Sequence, residues 1–184
     1  MSHPHDIGAA QLRRNFDQSF ASLPAAKATD QERILLVYCA AELLAIRCSQ
    51  IARLLKLGRV VPLRSQIPEL LGLTGVRGAA VPVFDLAPLL GLPGRAREPH
   101  WIVLVRSESP VAFAFDVLEG QVDVTHASIA NGQQSAISPF LRQSVRAGFA
   151  MRPLVDLFAV VRVLDSKAAQ TNSERRRDHD DRFV

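Results

Sequence analysis

The sequence has little cysteine. Its 184 residues include two, Cys39 and Cys48, and both lie in apolar stretches. A disulfide framework, a zinc ribbon and an iron–sulfur site therefore lack ligands, and a reducing, cytosolic setting fits best. Hydrophobic residues make up 48% and charged residues 22% of the chain, close to the averages for globular proteins. The composition predicts a packed protein that needs no disulfides.

The sequence also lacks a long hydrophobic run. The longest apolar stretch, residues 34–46, is interrupted by Glu42 and ended by Arg47. A membrane-spanning helix needs roughly 20 apolar residues. The opening residues have neither the basic nor the apolar region of a secretion signal. We therefore expect a cytoplasmic protein with no direct membrane insertion.

Familiar catalytic motifs are absent. There is no phosphate-binding loop, nucleophile elbow, His-Glu-x-x-His motif or dinucleotide fingerprint. Asp85 and Asp116 follow apolar strands, where a catalytic carboxylate would be placed, but helix capping explains such positions more simply. We expect no catalytic residue, no metal and no cofactor. An enzyme or metal protein that uses Asp85, Asp116 and His126 remains an alternative.

The net charge of +4 is spread along the chain. It amounts to 0, +3 and +1 over residues 1–33, 34–165 and 166–184. A nucleic-acid binder usually gathers its cations on one stripe and places aromatic side chains among them. The phenylalanines at apolar strand or helix positions are instead predicted to be core residues: Phe84, Phe113, Phe115, Phe149 and Phe158. Nucleic acid is therefore not the expected partner, and a small nucleic-acid-binding β-barrel is kept as the alternative function.

Three segments are predicted. Residues 1–31 form an N-terminal extension, in which Leu12, Phe16 and Phe20 share one stripe of an amphipathic helix over residues 9–23, followed by a linker. Residues 32–165 form the folded body. Residues 166–184 form a flexible charged tail.

Short apolar runs in the body are typical of β-strands, and they recur. A hairpin is predicted at residues 34–46 and another at 101–115, and a block of about seventy residues occurs twice in the same order. Asp85 and Asp156 each predict the start of a helix. Ile51, Leu54 and Leu55 are at helical spacing and predict a helical segment between the first hairpin and the next strands. The body therefore reads as two similar, mainly β modules with few helices.

Residues 72–86 contain three glycines in seven positions, Gly72, Gly75 and Gly78. Glycine weakens a strand, so this density indicates tight backbone geometry or the close approach of another chain. Arg77 lies between Val76 and Gly78 in a short connection. An arginine there presents a fork of donors suited to a partner's carboxylates or carbonyl groups. An intramolecular pair with a nearby acid is an equally open explanation.

The same stretch resembles the Gly-Val-x-Asn-Leu-Arg-Gly-x-x-x-Pro-x-x-Asp-Leu signature of CheW-like coupling domains. The residues that match in register are Gly72, Arg77, Gly78, Pro82, Asp85 and Leu86. The resemblance implies two SH3-like, five-stranded β-barrels and a non-enzymatic adaptor. Such an adaptor links the cytoplasmic tips of methyl-accepting chemoreceptors to the regulatory domain of a CheA-type histidine kinase. It implies a cytoplasmic location at membrane-bound receptor arrays.

The resemblance also implies a receptor- and kinase-binding surface. Arg77 and Gly78 match the receptor-contacting region, and Ile51 lies in the segment that helps to form the same groove. Three departures from the family pattern are assigned to this surface: Gly75 replaces an asparagine, Arg53 a glutamate and Ala112 a glycine. Because Arg53 reverses a local charge, the partner's surface is expected to differ from that of general chemotaxis. An accessory coupling protein, serving a twitching or other alternative pathway, fits this pattern.

Overall fold

The chain folds mainly into β-strands. The computed structural model describes residues 30–93, 98–131 and 138–180, with side chains described up to residue 169. The predicted N-terminal helix over residues 9–23 lies outside the described residues. The strands within them are β1 Gln31–Cys39, β2 Glu42–Arg47, β3 Ile51–Lys56, β4 Val60–Val61, β5 Leu70–Val76, β6 Ala79–Asp85, β7 Trp101–Val105, β8 Ala112–Phe115, β9 Val117–Thr125, β10 Ile129–Asn131, β11 Gln143–Ala147 and β12 Ala150–Val155. The helices are α1 Leu86–Leu89 and α2 Leu157–Asp180, with 3-10 turns at Cys48–Gln50 and His126–Ser128.

The predicted duplication is visible in the topology. Sheet A has the strand order β10-β11-β12-β2-β1-β9, and sheet B has the order β4-β5-β6-β8-β7-β3. Each sheet contains one of the two predicted hairpins, β1–β2 or β7–β8. The second strand of each hairpin has a parallel neighbour, β12 or β6, that leads directly into a helix. Each sheet has six strands rather than the five expected, because the short edge strands β4 and β10 extend it.

The chain crosses between the two sheets twice. β3 follows β2 of sheet A in the chain but pairs with β7 in sheet B, and β9 follows β8 of sheet B but pairs with β1 in sheet A. The helix predicted around Ile51 is therefore wrong, because only Cys48–Gln50 is a helical turn. The neighbours Leu54 and Leu55 pack into different hydrophobic clusters, as residues on opposite faces of a strand do.

One hydrophobic core joins both sheets. β1 contributes Leu35 and Val37, and β8 contributes Phe113 and Phe115, all with at most 4% of their surface exposed. The first turns of α2 add Val160 and Leu164 to the same cluster. Burial of such side chains contributes about 1.5–3 kcal/mol each. Each sheet also has a smaller hydrophobic cluster of its own. The two sheets therefore share one core, and each sheet packs a second cluster without the other.

Both predicted helix starts are confirmed. The Asp85 carboxylate accepts a hydrogen bond from the Ala87 N–H at 3.3 Å, and the Asp156 carboxylate accepts one from the Ala159 N–H at 3.1 Å. α2 continues through most of the predicted tail to Asp180, and the flexibility of that tail stays a prediction. Composition alone did not reveal this helix, because the packed turns at its start nucleate it and good helix formers then extend it.

Gln50 lies between β2 and β3, where the chain passes from sheet A to sheet B, and its side chain binds the start of α2. Its side-chain Nε2 donates to Asp156 Oδ1 at 3.0 Å, and its Oε1 accepts from the Leu157 N–H at 3.0 Å. Gln50 is 6% exposed. A buried amide whose donor and acceptor are both used holds its partners in one geometry. The link from sheet A to sheet B is therefore tied to the start of the C-terminal helix.

Glycine at position 72 is required by packing inside the chain. Its φ is +142°, and a Cβ built on it would lie 2.1 Å from the carbonyl oxygen of Val61 in β4. The close backbone approach predicted from the glycine density is thus met at this position by the protein's own edge strand. Gly75, three residues later, has nothing within 4 Å of a built Cβ.

Replacing Gln50 tests the crossover. We expect Gln50→Ala to lower the free energy of unfolding by about 1–3 kcal/mol, because the buried Leu157 N–H loses its acceptor. Urea denaturation measures this, with the exposed Gln66→Ala as the control. Equal stability of the two variants would remove Gln50 from its structural role.

The two glycines make a second matched pair. We expect Gly72→Ala to destabilise the protein by about 2–4 kcal/mol, since the methyl group overlaps the Val61 carbonyl and the backbone conformation disfavours alanine. Gly75→Ala is expected to change stability by less than about 0.5 kcal/mol. Thermal unfolding of both variants checks this. A tolerated Gly72→Ala would show that β4 does not lie against β5 as described.

Candidate functional site at the β5–β6 hairpin tip

Arg77 and Gly78 form a two-residue turn between β5 and β6. Val76 pairs with Ala79, so Arg77 and Gly78 are the whole loop. Their φ angles are +50° and +82°. Positive φ at both positions is the pattern of a type I′ turn, whose twist matches that of the flanking strands. Glycine adopts it freely, whereas an arginine there costs about 1 kcal/mol, so the local backbone holds Arg77 in a conformation that its own preference does not favour.

The Arg77 side chain points to solvent. The residue is exposed, as are Gly75, Gly78 and the first residues of β6. Within the described residues, the salt bridges and side-chain hydrogen bonds do not involve Arg77. The intramolecular ion pair that the sequence left open is therefore not formed with any acid in that part of the chain. Its guanidinium donors are directed to water.

Ile51 and Arg53 lie apart from the hairpin tip in the sheet. Both are on β3, the edge strand of sheet B, and β7 and β8 separate β3 from β6. Ile51 is half-buried and packs against the shared core, and Arg53 is also half-buried. The strand order thus unites Gly75, Arg77 and Gly78 in one hairpin, and it places Ile51 and Arg53 on an edge strand that is not hydrogen-bonded to that hairpin.

Ala112 does not belong to an exposed surface. It has 0% of its surface exposed and lies in the middle of sheet B, paired with Leu104 of β7 and Val83 of β6. It has no surface for a partner in this conformation, so the structure contradicts a direct contact there. A small residue at this position serves packing, because the inner cluster of sheet B closes around it.

Phe149 corrects the prediction that it is a core residue. It lies in the turn between β11 and β12, directly after Gly148, whose φ is +65°. Its relative exposure is 112%, the highest among the large exposed hydrophobic residues of the described chain. Phe84, Phe113 and Phe115 are buried as predicted. The available signal was Gly-Phe between two short apolar runs, because glycine at the first loop position indicates a hairpin turn.

Asp85, Asp116 and His126, the residues of the enzyme alternative, do not form a catalytic group in the described structure. The Asp85 carboxylate caps α1. Asp116 is buried, and its backbone N–H donates to the backbone carbonyl oxygen of Tyr38. His126 is exposed, with its Nδ1 4.0 Å from a Glu32 carboxylate oxygen. Among residues 30–93, 98–131 and 138–169, no three His, Cys, Asp or Glu side chains lie close enough together to hold a metal ion.

The thiols and charged pairs of sheet A also have ordinary environments. Burial raises the pKa of the Cys48 thiol, which disfavours the reactive thiolate. The two cysteines do not form a disulfide, and Cys39 is buried. The hydrogen bond between Arg33 and Asp123 on β1 and β9 lowers the pKa of the Asp123 carboxyl and raises the pKa of Arg33. The pair supports strand pairing and supplies no catalytic group.

A cleft of about 580 Å³ lies between α2 and the β10–β12 edge of sheet A. Its lining mixes apolar side chains such as Phe140 and Leu154 with the basic side chains of Arg142 and Arg162. It contains none of the predicted binding residues. The candidate site is therefore a protruding hairpin rather than a cavity.

No helix in the described part of the chain combines the length and hydropathy needed to cross a membrane.

Comparisons with known proteins agree with this architecture. A family model described as a CheW-like domain matches residues 33–165. A similar solved structure is that of the scaffolding protein TtCheW from Thermoanaerobacter tengcongensis, with a TM-score of 0.63 and 17% sequence identity, covering 68% of this chain and 84% of that one. A search of curated proteins finds no match. Because the family model spans most of the chain and the fold agrees, the protein belongs to the CheW-like domain family.

Proposed function

We propose that this protein is a non-enzymatic adaptor that links chemoreceptor cytoplasmic tips to the regulatory domain of a CheA-type histidine kinase. Membership of the CheW-like family supports a scaffolding role in chemosensory signalling. Asp85, Asp116 and His126, which the sequence offered for catalysis, are a helix cap, a buried carboxylate and an exposed histidine. This agrees with a protein that acts by binding. Its place would be in the cytoplasm, at membrane-bound receptor arrays.

The exposed, unpartnered Arg77 is the observation that carries the proposal. Its two-residue turn joins strands that pair from Leu70 to Val76 and from Ala79 to Phe84, and Val81 and Val83 of β6 are buried. A side chain on so short a turn loses little backbone freedom on binding. An arginine presented in this way is the type of residue that dominates protein interfaces. Gly75 and Gly78 would let the partner approach the backbone on either side.

The second contact of the adaptor is proposed at the β3 edge. Ile51 and Arg53 begin this strand, and among the described residues no further strand pairs with its outer side. In the hydrogen-bonding order of sheet B, β7 and β8 stand between this edge strand and the β5–β6 hairpin, so we assign the edge and the hairpin to different contacts. A scaffold needs such an arrangement to hold two partners at once. The positive charge of Arg53 would favour a partner with an acidic residue, consistent with an accessory pathway.

Charge reversal at the tip tests the receptor contact. We expect Arg77→Glu to weaken binding of receptor-tip fragments from the same genome by at least tenfold, because an interface anchor contributes about 1–3 kcal/mol and the new carboxylate repels acids. We expect Arg77→Gly to weaken binding while leaving stability equal or higher, since glycine accepts the positive φ. Surface plasmon resonance measures the affinity and thermal unfolding the stability.

A matched control comes from the equivalent hairpin of sheet A. Arg146 is exposed on β11, two residues before its turn, and Arg146→Glu makes the same charge change. We expect near-normal receptor binding by this variant. Unchanged receptor binding by folded Arg77→Glu, or equal losses in the two variants, would contradict the assignment of the site.

A further inference from the structure

Basic side chains are concentrated in one part of the body. Residues 43–84 carry six Lys or Arg side chains and one acidic side chain, whereas the rest of residues 34–165 carries seven basic and nine acidic ones. This count corrects the view that the surplus is evenly spread. The single acid is Glu69, and its Oε1 lies 3.3 Å from Nζ of Lys167 in α2. Of the six cations, Arg47 belongs to sheet A and pairs with Glu32, and the other five lie in or beside the strands of sheet B.

Two of these cations lie at the same end of sheet B. Val60 of β4 pairs with Thr74 of β5, and the Thr74 hydroxyl donates to the Arg59 carbonyl oxygen at 3.0 Å. Arg59 therefore lies beside Gly75, close to the Arg77 turn. Neighbouring strands lie about 4.8 Å apart, so this register brings Arg59 next to Gly75, and Arg77 follows Gly75 by two residues at the turn.

The space beside this pair is open. Gly75 is exposed and carries no side chain, and a built Cβ finds no heavy atom within 4 Å. Arg59 and Arg77 are both exposed, and neither forms an ion pair with a residue that the structure describes. Two exposed arginines are thus close in the strand register to the uncovered backbone at Gly75.

We infer that Arg59 and Arg77 act together as a cationic clamp that binds carboxylates on an acidic protein surface. The inference rests on the proposed function, since it names acidic side chains of the receptor tip as the groups that this hairpin recognises. Guanidinium groups bind carboxylates through paired hydrogen bonds. The family resemblance assigned Arg77 to the binding surface but not Arg59. The inference adds Arg59 to that surface.

Features around the clamp favour a protein partner over nucleic acid. Residues 57–83 contain no Phe, Tyr or Trp, so this surface has no platform on which bases stack. Val61, two residues along the chain from Arg59, is 53% exposed. Apolar side chains beside arginine are typical of protein–protein interfaces.

A double-mutant cycle tests the clamp. Affinities for the receptor-tip fragment are measured for wild type, Arg59→Ala, Arg77→Ala and the double variant, at low and high salt. Arg59→Ala is expected to weaken binding by about three- to tenfold at low salt and to make the salt dependence shallower. Arg64→Ala is the control, because Arg64 is an exposed arginine five residues further on, beyond β4. Its affinity should stay within twofold of wild type.

The outcomes separate the inference from the proposed function. If wild type binds the receptor tip but Arg59→Ala matches Arg64→Ala, the clamp is wrong and the adaptor role stands. If wild type binds a labelled DNA duplex and Arg59→Ala weakens that binding alone, the acidic-protein assignment is wrong. If wild type binds no receptor tip, the proposed receptor coupling fails. Titration with a tetra-glutamate peptide then decides, with NMR shifts expected at the Arg59 and Arg77 side chains and not at Arg64; their absence would overturn the clamp.

Discussion

The hydrophobic core shared by the two sheets is the constraint on which the rest of the structure depends. Phe113 and Phe115 of sheet B and Leu35 and Val37 of sheet A meet in one cluster. Sheet A joins the first hairpin, β1–β2, to β9–β12, and sheet B joins the second hairpin, β7–β8, to β3–β6, so neither half of the duplicated sequence completes a sheet by itself. The core therefore makes the two modules one folding unit. Movement of one sheet would disturb strands that belong to the other.

In the proposed function, this packing matters most at the hairpin tip. β6 carries the buried side chains of Val81 and Val83, so the turn that follows β5 is held at a fixed distance from the core. The strained backbone of Arg77 is sustained by that packing rather than by a ligand. An adaptor with no catalytic step has only affinity and geometry to transmit. A preformed tip reduces the entropy lost when the partner binds.

Much of the architecture follows from local sequence signals, and the exceptions are non-local. Both hairpins, the capped helix starts at Asp85 and Asp156, and the duplication were predicted because each depends on neighbouring residues or on a direct repeat. The strand at residues 51–56 was missed, because Leu54 and Leu55 fit a helical spacing equally well. Only pairing with β7, nearly fifty residues away in sequence, makes it a strand.

The candidate site shows the same division. Arg77 and its flanking glycines were found because the turn requires unusual residue types. Ala112 was misassigned, because a resemblance to a binding segment does not reveal that the position is central in the sheet and fully buried. Arg59 carried no signal by itself, since the role we propose for it depends on the pairing of β4 with β5. Phe149 was misread because hydrophobicity alone does not distinguish a turn from a core strand.

The most direct test of the central claim is to map the receptor contact on the folded protein. Backbone amide shifts of wild-type protein are followed by NMR while a receptor-tip fragment is added. The account predicts the largest shifts at residues 75–80 and beside Arg59, with the shared core unmoved. Shifts confined to the β11–β12 hairpin or to the cleft beside α2, with residues 75–80 unchanged, would contradict it.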